Sequence, residues 1–139
     1  MRKLISMLII ASTMLCASVR ADNEDAVRQA QDAAQRWLAL ADAGLYQKTW
    51  EQAAIPFQQA VSKAEWEKAI RAVREPIGDV KNRSVTSATF TEKLPGARKG
   101  QYVLIQYASK YTKNAEVTET VIPMLSEDGI WRVSGYFVK

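Results

Sequence analysis

The chain is predicted to fold as an α+β protein, with N-terminal helices packed on one face of a four-stranded antiparallel sheet. Two observations carry this. Apolar residues recur at helical spacing up to about Val73, and from Arg83 onward they alternate with period two across four runs separated by turn residues. Helices and strands are segregated along the chain, which argues against a parallel sheet built from crossover units.

The first element is a targeting segment. Residues Met1 to about Ala21 read as a cleavable secretory signal: Arg2 and Lys3, an apolar stretch from Leu4 to Leu15, then Val19-Arg20-Ala21 as a small-residue cleavage site. That stretch is shorter than the roughly 20 residues a membrane-spanning helix needs. Cleavage after Ala21 is therefore expected to release residues 22–139 as one soluble exported domain with no transmembrane anchor. Cys16 follows Leu15 rather than the small residue of a lipoprotein signal, and it leaves with the segment.

Processing also narrows the chemistry. The remaining chain holds no cysteine and no histidine, which removes disulfides, Cys or Ser–His nucleophiles and ordinary zinc ligation. No cofactor and no metal site are expected. Of 19 basic residues Arg2, Lys3 and Arg20 are lost, so 16 face 15 acidic ones and the formal charge falls from +4 to +1. A near-neutral exported domain lacks the positive field of a nucleic-acid reader.

Within the domain, Asp22 or Asn23 caps a first helix running to about Ala43, with Val27, Ala30, Ala34, Trp37, Leu38 and Ala41 on one stripe. Gly44 stops it. A second helix from about Tyr46 to Ala54 is broken by Pro56, after which another turn follows through Phe57 to Val61. Ser62 and Glu65 form a capping-box pair for a fourth helix to about Val73, and Pro76-Ile77-Gly78 ends it.

The strands are expected near Arg83 to Glu92, Gln101 to Lys110, Glu116 to Leu125 and Ile130 to Val138, joined by Pro95-Gly96 through Gly100, by Lys113-Asn114 and by Asp128-Gly129 as an antiparallel meander. Alternation places Val103, Ile105 and Tyr107, then Val117, Val121 and Leu125, then Trp131, Val133 and Phe137 on core-facing sides. Tyr136 falls with Arg132 and Ser134 on the opposite side. Glu119 falls on the apolar side of its strand.

The runs Trp37-Leu38-Ala39-Leu40-Ala41-Asp42-Ala43-Gly44-Leu45-Tyr46, Arg74-Glu75-Pro76-Ile77-Gly78, Leu94-Pro95-Gly96-Ala97 and Asp128-Gly129-Ile130-Trp131-Arg132-Val133-Ser134-Gly135-Tyr136, in this order, resemble the bacterial family known as domain of unknown function 4019. The resemblance covers nearly the whole domain. It implies a small exported bacterial protein, and so a place in the periplasm of the bacterial envelope, with a cystatin-like or nuclear-transport-factor-like fold whose space between helices and sheet is a pocket in some such folds and filled core in others. It implies no activity.

Glu119 is the first candidate site residue, because a carboxylate on the core side of a sheet must be paired, hydrogen-bonded or protonated. Arg71 and Arg74 are its expected partners, either as a structural tie between helix and sheet or as part of a binding site. Asp42, Tyr46 and Tyr107 are expected at the wide end of a pocket. Trp37, Trp50, Trp66 and Trp131 read as core anchors. Arg83, Lys93, Arg98, Lys99, Lys110 and Lys113 would form a basic rim around the hairpin loops.

Two functions follow. The preferred one is a non-enzymatic module that binds an unknown small ligand or an envelope protein, with a second copy of the chain as a further candidate partner. The alternative is a cavity enzyme of isomerase or dehydratase type, using Glu119 as acid and base.

Overall fold

A computed structural model describes residues 14–113 and 115–139. The first part of the expected signal, residues 1–13, and the turn residue Asn114 lie outside the described residues. Helices α1 (Met14–Asp42), α2 (Tyr46–Glu51), α3 (Ile55–Ala60) and α4 (Lys63–Arg74) precede strands β1 (Val80–Thr91), β2 (Tyr102–Tyr111), β3 (Glu116–Leu125) and β4 (Trp131–Val138). The sheet is antiparallel in the order β1-β2-β3-β4. The expected fold class and the meander are both present.

Helix α1 crosses all four strands and buries Ala30, Ala33, Ala34, Trp37, Leu38 and Ala41 against them. Small residues on this stripe let the helix lie close to the sheet while Trp37 fills the central gap. The helix begins upstream of Asp22 and passes through Ala21 without a break. Its end is a Schellman motif: the Leu45 N–H donates to the Leu40 carbonyl (3.0 Å), and that of Gly44, at φ 72°, donates to Ala41 (3.0 Å).

Helix α2 ends at Glu51, short of the expected Ala54, and α3 starts at Ile55 because Pro56 fits the first turn of a helix. The capping box on α4 is present. The Ser62 hydroxyl accepts the Glu65 N–H (3.2 Å), and the Glu65 carboxylate accepts the Ser62 N–H (3.1 Å).

Thr49 joins these pieces. Its hydroxyl donates to the Tyr46 carbonyl (2.6 Å) and accepts from the Trp66 indole (2.9 Å), while its carbonyl accepts the Trp37 indole N–H (2.9 Å). Both indole donors are thereby satisfied inside the core, as burial requires.

The sheet departs from strict alternation at three bulges. On β1 the extra residues are Lys81 and Thr86, and on β4 the extra residue is Ser134. The last has the clearest cause. Pro123 lies in central strand β3, where it has no N–H to offer a neighbour, and such prolines are found at bulges. The Ser134 hydroxyl instead donates to the Ile122 carbonyl (2.8 Å).

The bulge advances β4 by one residue and reverses the expected facing of its end. Tyr136 turns into the core, against Trp37 with ring centroids 5.1 Å apart, and Phe137 stands 61% exposed on the outer face. A one-residue slip exchanges the two faces of a strand.

Gly78 closes α4 at φ 85°, and a Cβ there would lie 2.3 Å from the Thr112 hydroxyl oxygen. That hydroxyl already accepts the Asp79 N–H (2.9 Å), so it cannot swing away freely. Gly78→Ala is expected to cost about 2–3 kcal/mol in chemical denaturation. Gly44→Ala, also at positive φ but facing open space, should cost about 1–2 kcal/mol. Equal costs would mean that the contact with Thr112 carries no weight.

Candidate functional site

The C-terminal turn of α1 places Asp42 where the helix dipole disfavours an anion. Two arginines compensate. Arg74, the last residue of α4, donates from Nη2 to Asp42 Oδ1 (2.5 Å), and Arg83 on β1 donates from Nη1 to Oδ2 (2.8 Å) and from Nη2 to Oδ1 (3.0 Å). The Arg83–Asp42 pair is bidentate, the geometry that a planar guanidinium favours.

Behind Arg83 lies Glu119 on β3, with no exposed surface. Arg83 Nε donates to Glu119 Oε1 (2.8 Å), and the Tyr136 hydroxyl donates to Oε2. Arg74 Nη1 stands 3.7 Å from the same Oε2 and donates to the Tyr136 oxygen (3.2 Å). Arg83 Nη2 also donates to the Tyr111 hydroxyl oxygen (3.2 Å), and the Arg74 guanidinium lies 5.5 Å from the Tyr111 ring centre. Two carboxylates and two guanidiniums thus form a neutral unit tying α1, α4, β1 and β3 together. The Ser109 hydroxyl is buried next to Glu119 and weighs on its charge, although it makes no hydrogen bond of ordinary geometry within the protein.

Burial works to raise the Glu119 carboxyl, but Arg83, Ser109 and Tyr136 outweigh it and hold it below the ordinary range. Asp42 is lowered in the same way, with Arg83 and Arg74 prevailing over burial. Burial, reinforced by the Glu119 charge, pushes the Tyr111 phenol up to about 12 and Tyr136 higher still. Arg83 is raised against the pull of burial by Asp42 and Glu119.

Stability should follow from these directions. The contribution of Glu119 and Asp42 is present above their unfolded values of 4.5 and 3.8 and is lost as pH falls through the lower folded ones. The contribution of Tyr111 and Tyr136 is present below 10.0 and lost as pH rises past it. Thermal melts from about pH 3 to 11 should give a plateau bounded on both sides; greater stability at pH 3 than at pH 6 would contradict the arrangement.

In front of the cluster a half-open groove of about 590 Å³ runs between α1 and the β1–β2 pair. Gln31, Asp32, Gln35, Ala39 and Asp42 form its helical wall, with Arg83, Val85 and Tyr107 opposite. The Tyr107 phenol is pushed up to about 12 by burial, with Arg83 opposing and Glu119 adding to the shift.

The structure therefore brings Asp42, Tyr107, Arg74 and Glu119 to one region and corrects three expectations. Arg71 does not meet Glu119: it lies on the surface between Glu67 (3.0 Å) and Glu75 (3.1 Å), because its place in the last turn of α4 points away from the sheet. Tyr46 does not line the groove but packs in the core under Arg71, 5.3 Å from its ring centre. Arg83 belongs to no basic rim. Lys93, Arg98 and Lys99 sit at one end of the β1–β2 hairpin, while Lys110, paired with Glu116 (3.1 Å), and Lys113 sit at the other.

Arg83, Tyr111 and Tyr136 are the members of the cluster that sequence reasoning missed. An acidic residue at a helix C-terminus with no basic residue in the same turn is the signal that a distant cation must reach Asp42. Among the described residues, no group of three or more His, Cys, Asp or Glu side chains is placed to hold a metal ion, and no helix is long and apolar enough to cross a membrane.

The family described as protein of unknown function (DUF4019) matches residues 33–136, a span that contains every member of the charge cluster and most of the groove. No curated protein and no solved structure matches the chain.

Proposed function

Since the chain belongs to the DUF4019 family of proteins of unknown function, its role has to be argued from the site, and we infer that it is an exported, periplasmic, non-enzymatic binding module whose ligand occupies the groove beside Asp42, Arg83 and Tyr107. One observation carries this reading: the charges at the groove floor neutralise one another. Such a floor is rigid and preorganised, which favours recognition. It offers no proton acceptor poised near neutral pH.

The alternative, an isomerase or dehydratase with Glu119 as acid and base, meets two obstacles. Glu119 sits behind Arg83 with no exposed surface, and its carboxyl is held low where a general base would need to be raised. Kinship with cystatin-like or nuclear-transport-factor-like folds belongs to this proposal, as does export. Export rests on Arg2, Lys3, the apolar run to Leu15 and the site at Ala21; cleavage there would leave residues 22–42 of α1.

Native mass spectrometry of protein made with its own N-terminus and recovered from the periplasm tests the whole reading. The expected spectrum shows a chain beginning at Asp22 with a retained small molecule, and it reports whether two copies associate. An unprocessed chain confined to the cytoplasm would remove export, and a bare chain that takes up no added compound would remove the binding role.

A further inference from the structure

The groove can be assigned a ligand class by asking which hydrogen-bonding atoms the fold leaves open. Arg83 is nearly spent. Four of its five N–H bonds serve Glu119, Asp42 (twice) and Tyr111, and one on Nη1 is left. An anion would find that single N–H between the Asp32 and Asp42 carboxylates, and any further hold on Arg83 would require displacing Asp42. A cation gains little either, since the Asp42 charge is already met by Arg74 and Arg83 and Asp32 is exposed to water.

What remains is neutral hydrogen-bonding capacity. Among the described residues, the side-chain amides of Gln31 and Gln35 and the Tyr107 hydroxyl make no hydrogen bond within the protein, although Tyr107 is only 6% exposed. Asp42 lines the groove and is partly exposed, and the three hydrogen bonds it accepts leave about one of its four acceptor sites. Gln31, Gln35 and Asp42 lie along one helical wall, a length of about 16 Å at 1.5 Å per residue, and Tyr107 faces them from β2. Beside them Val85, half exposed, and Ala39 supply a narrow apolar strip.

Hydroxyl groups both donate and accept, and the C–H faces of a sugar ring suit such a strip. A peptide would also match the amides, but it would gain most by adding to the free edge of β1, and the bulges at Lys81 and Thr86 interrupt that edge on both sides of Arg83. We propose that the groove between α1 and the β1–β2 pair binds a neutral polyhydroxyl ligand of the oligosaccharide class, held by Gln31, Gln35, Asp42 and Tyr107. This rests on the binding-module reading above and narrows it.

The test is a titration of the isotope-labelled full chain, followed by NMR, with maltotriose and chitotriose as neutral probes, inorganic phosphate as anion, spermidine as cation and tetra-alanine as peptide. The expected result is saturable shifts of the Gln31 and Gln35 side-chain amides with a neutral oligosaccharide. Binding should weaken at least tenfold in Gln31→Ala/Gln35→Ala and in Tyr107→Phe, with unchanged melting temperatures. Shifts at the groove with phosphate, spermidine or tetra-alanine, and none with either sugar, would overturn the ligand class and leave the binding module standing. If no probe moves the groove, the proposal fails; if the periplasmic protein also carries no retained molecule, the binding module falls with it.

Discussion

Arg83→Ala is expected to destabilise the domain by about 3–5 kcal/mol, the scale for removing one partner from a buried ion pair. The reason is what it leaves behind. Glu119, fully buried, would keep the Tyr136 hydroxyl, the neighbouring Ser109 and an arginine at 3.7 Å, with no directly hydrogen-bonded charged partner. For a domain of this size the loss lowers the melting temperature by roughly 10–20 °C.

The pH response should also flatten at the acid end. Arg83 is the largest influence that lowers Glu119, so without it the carboxyl moves up toward the unfolded value and less stability is lost as pH falls. Melts of the variant at about pH 4 and pH 7 read this directly. Arg83→Met combined with Glu119→Leu removes both partners, keeps the Asp42–Arg74 pair and should recover much of the loss. A single variant within 1 kcal/mol of the parent would show that Glu119 is not held as described.

Trp37→Ala should cost about 3–5 kcal/mol for a different reason, the cavity left by a buried aromatic side chain. Trp37 is 3% exposed, stands against Tyr136 and, at 6.2 Å between ring centres, against Trp66, and its indole N–H is the donor to the Thr49 carbonyl. Its removal also loosens the wall that aims Tyr136 at Glu119. A double-mutant cycle with Tyr136→Phe should therefore give a coupling of about 1 kcal/mol or more. Strict additivity would mean that Trp37 packs beside the cluster without holding it. Trp50→Ala, at a half-buried position on the core's margin, is the milder control.

The architecture was readable because each signal was local and periodic. The stripe on α1, the Ser62–Glu65 box and the stopping glycines Gly44 and Gly78 each follow from a few neighbouring residues. Glu119 was legible for the same reason: alternation alone put a carboxylate on the apolar side of β3. Its partner was not, because Arg83 and Glu119 are 36 residues apart and their meeting depends on the order β1-β2-β3 and on the bulges in β1. Counting in twos through Ser134 puts Tyr136 on the wrong face, because the bulge there adds a residue. The warning was Pro123, on the neighbouring strand rather than on β4 itself.

The charge cluster is expected to close late in folding. Its hydrogen bonds join residues 17 to 62 positions apart and draw on both the helical and the sheet half of the chain, so a nucleus made of local turns and a single hairpin contains few of them. Contacts absent at the folding barrier act on escape from the native state rather than on arrival there. The unfolding rate constant of Arg83→Ala should accordingly rise steeply while refolding stays near the parental rate. The four charges are a latch on the assembled domain: they set how long it lasts once formed.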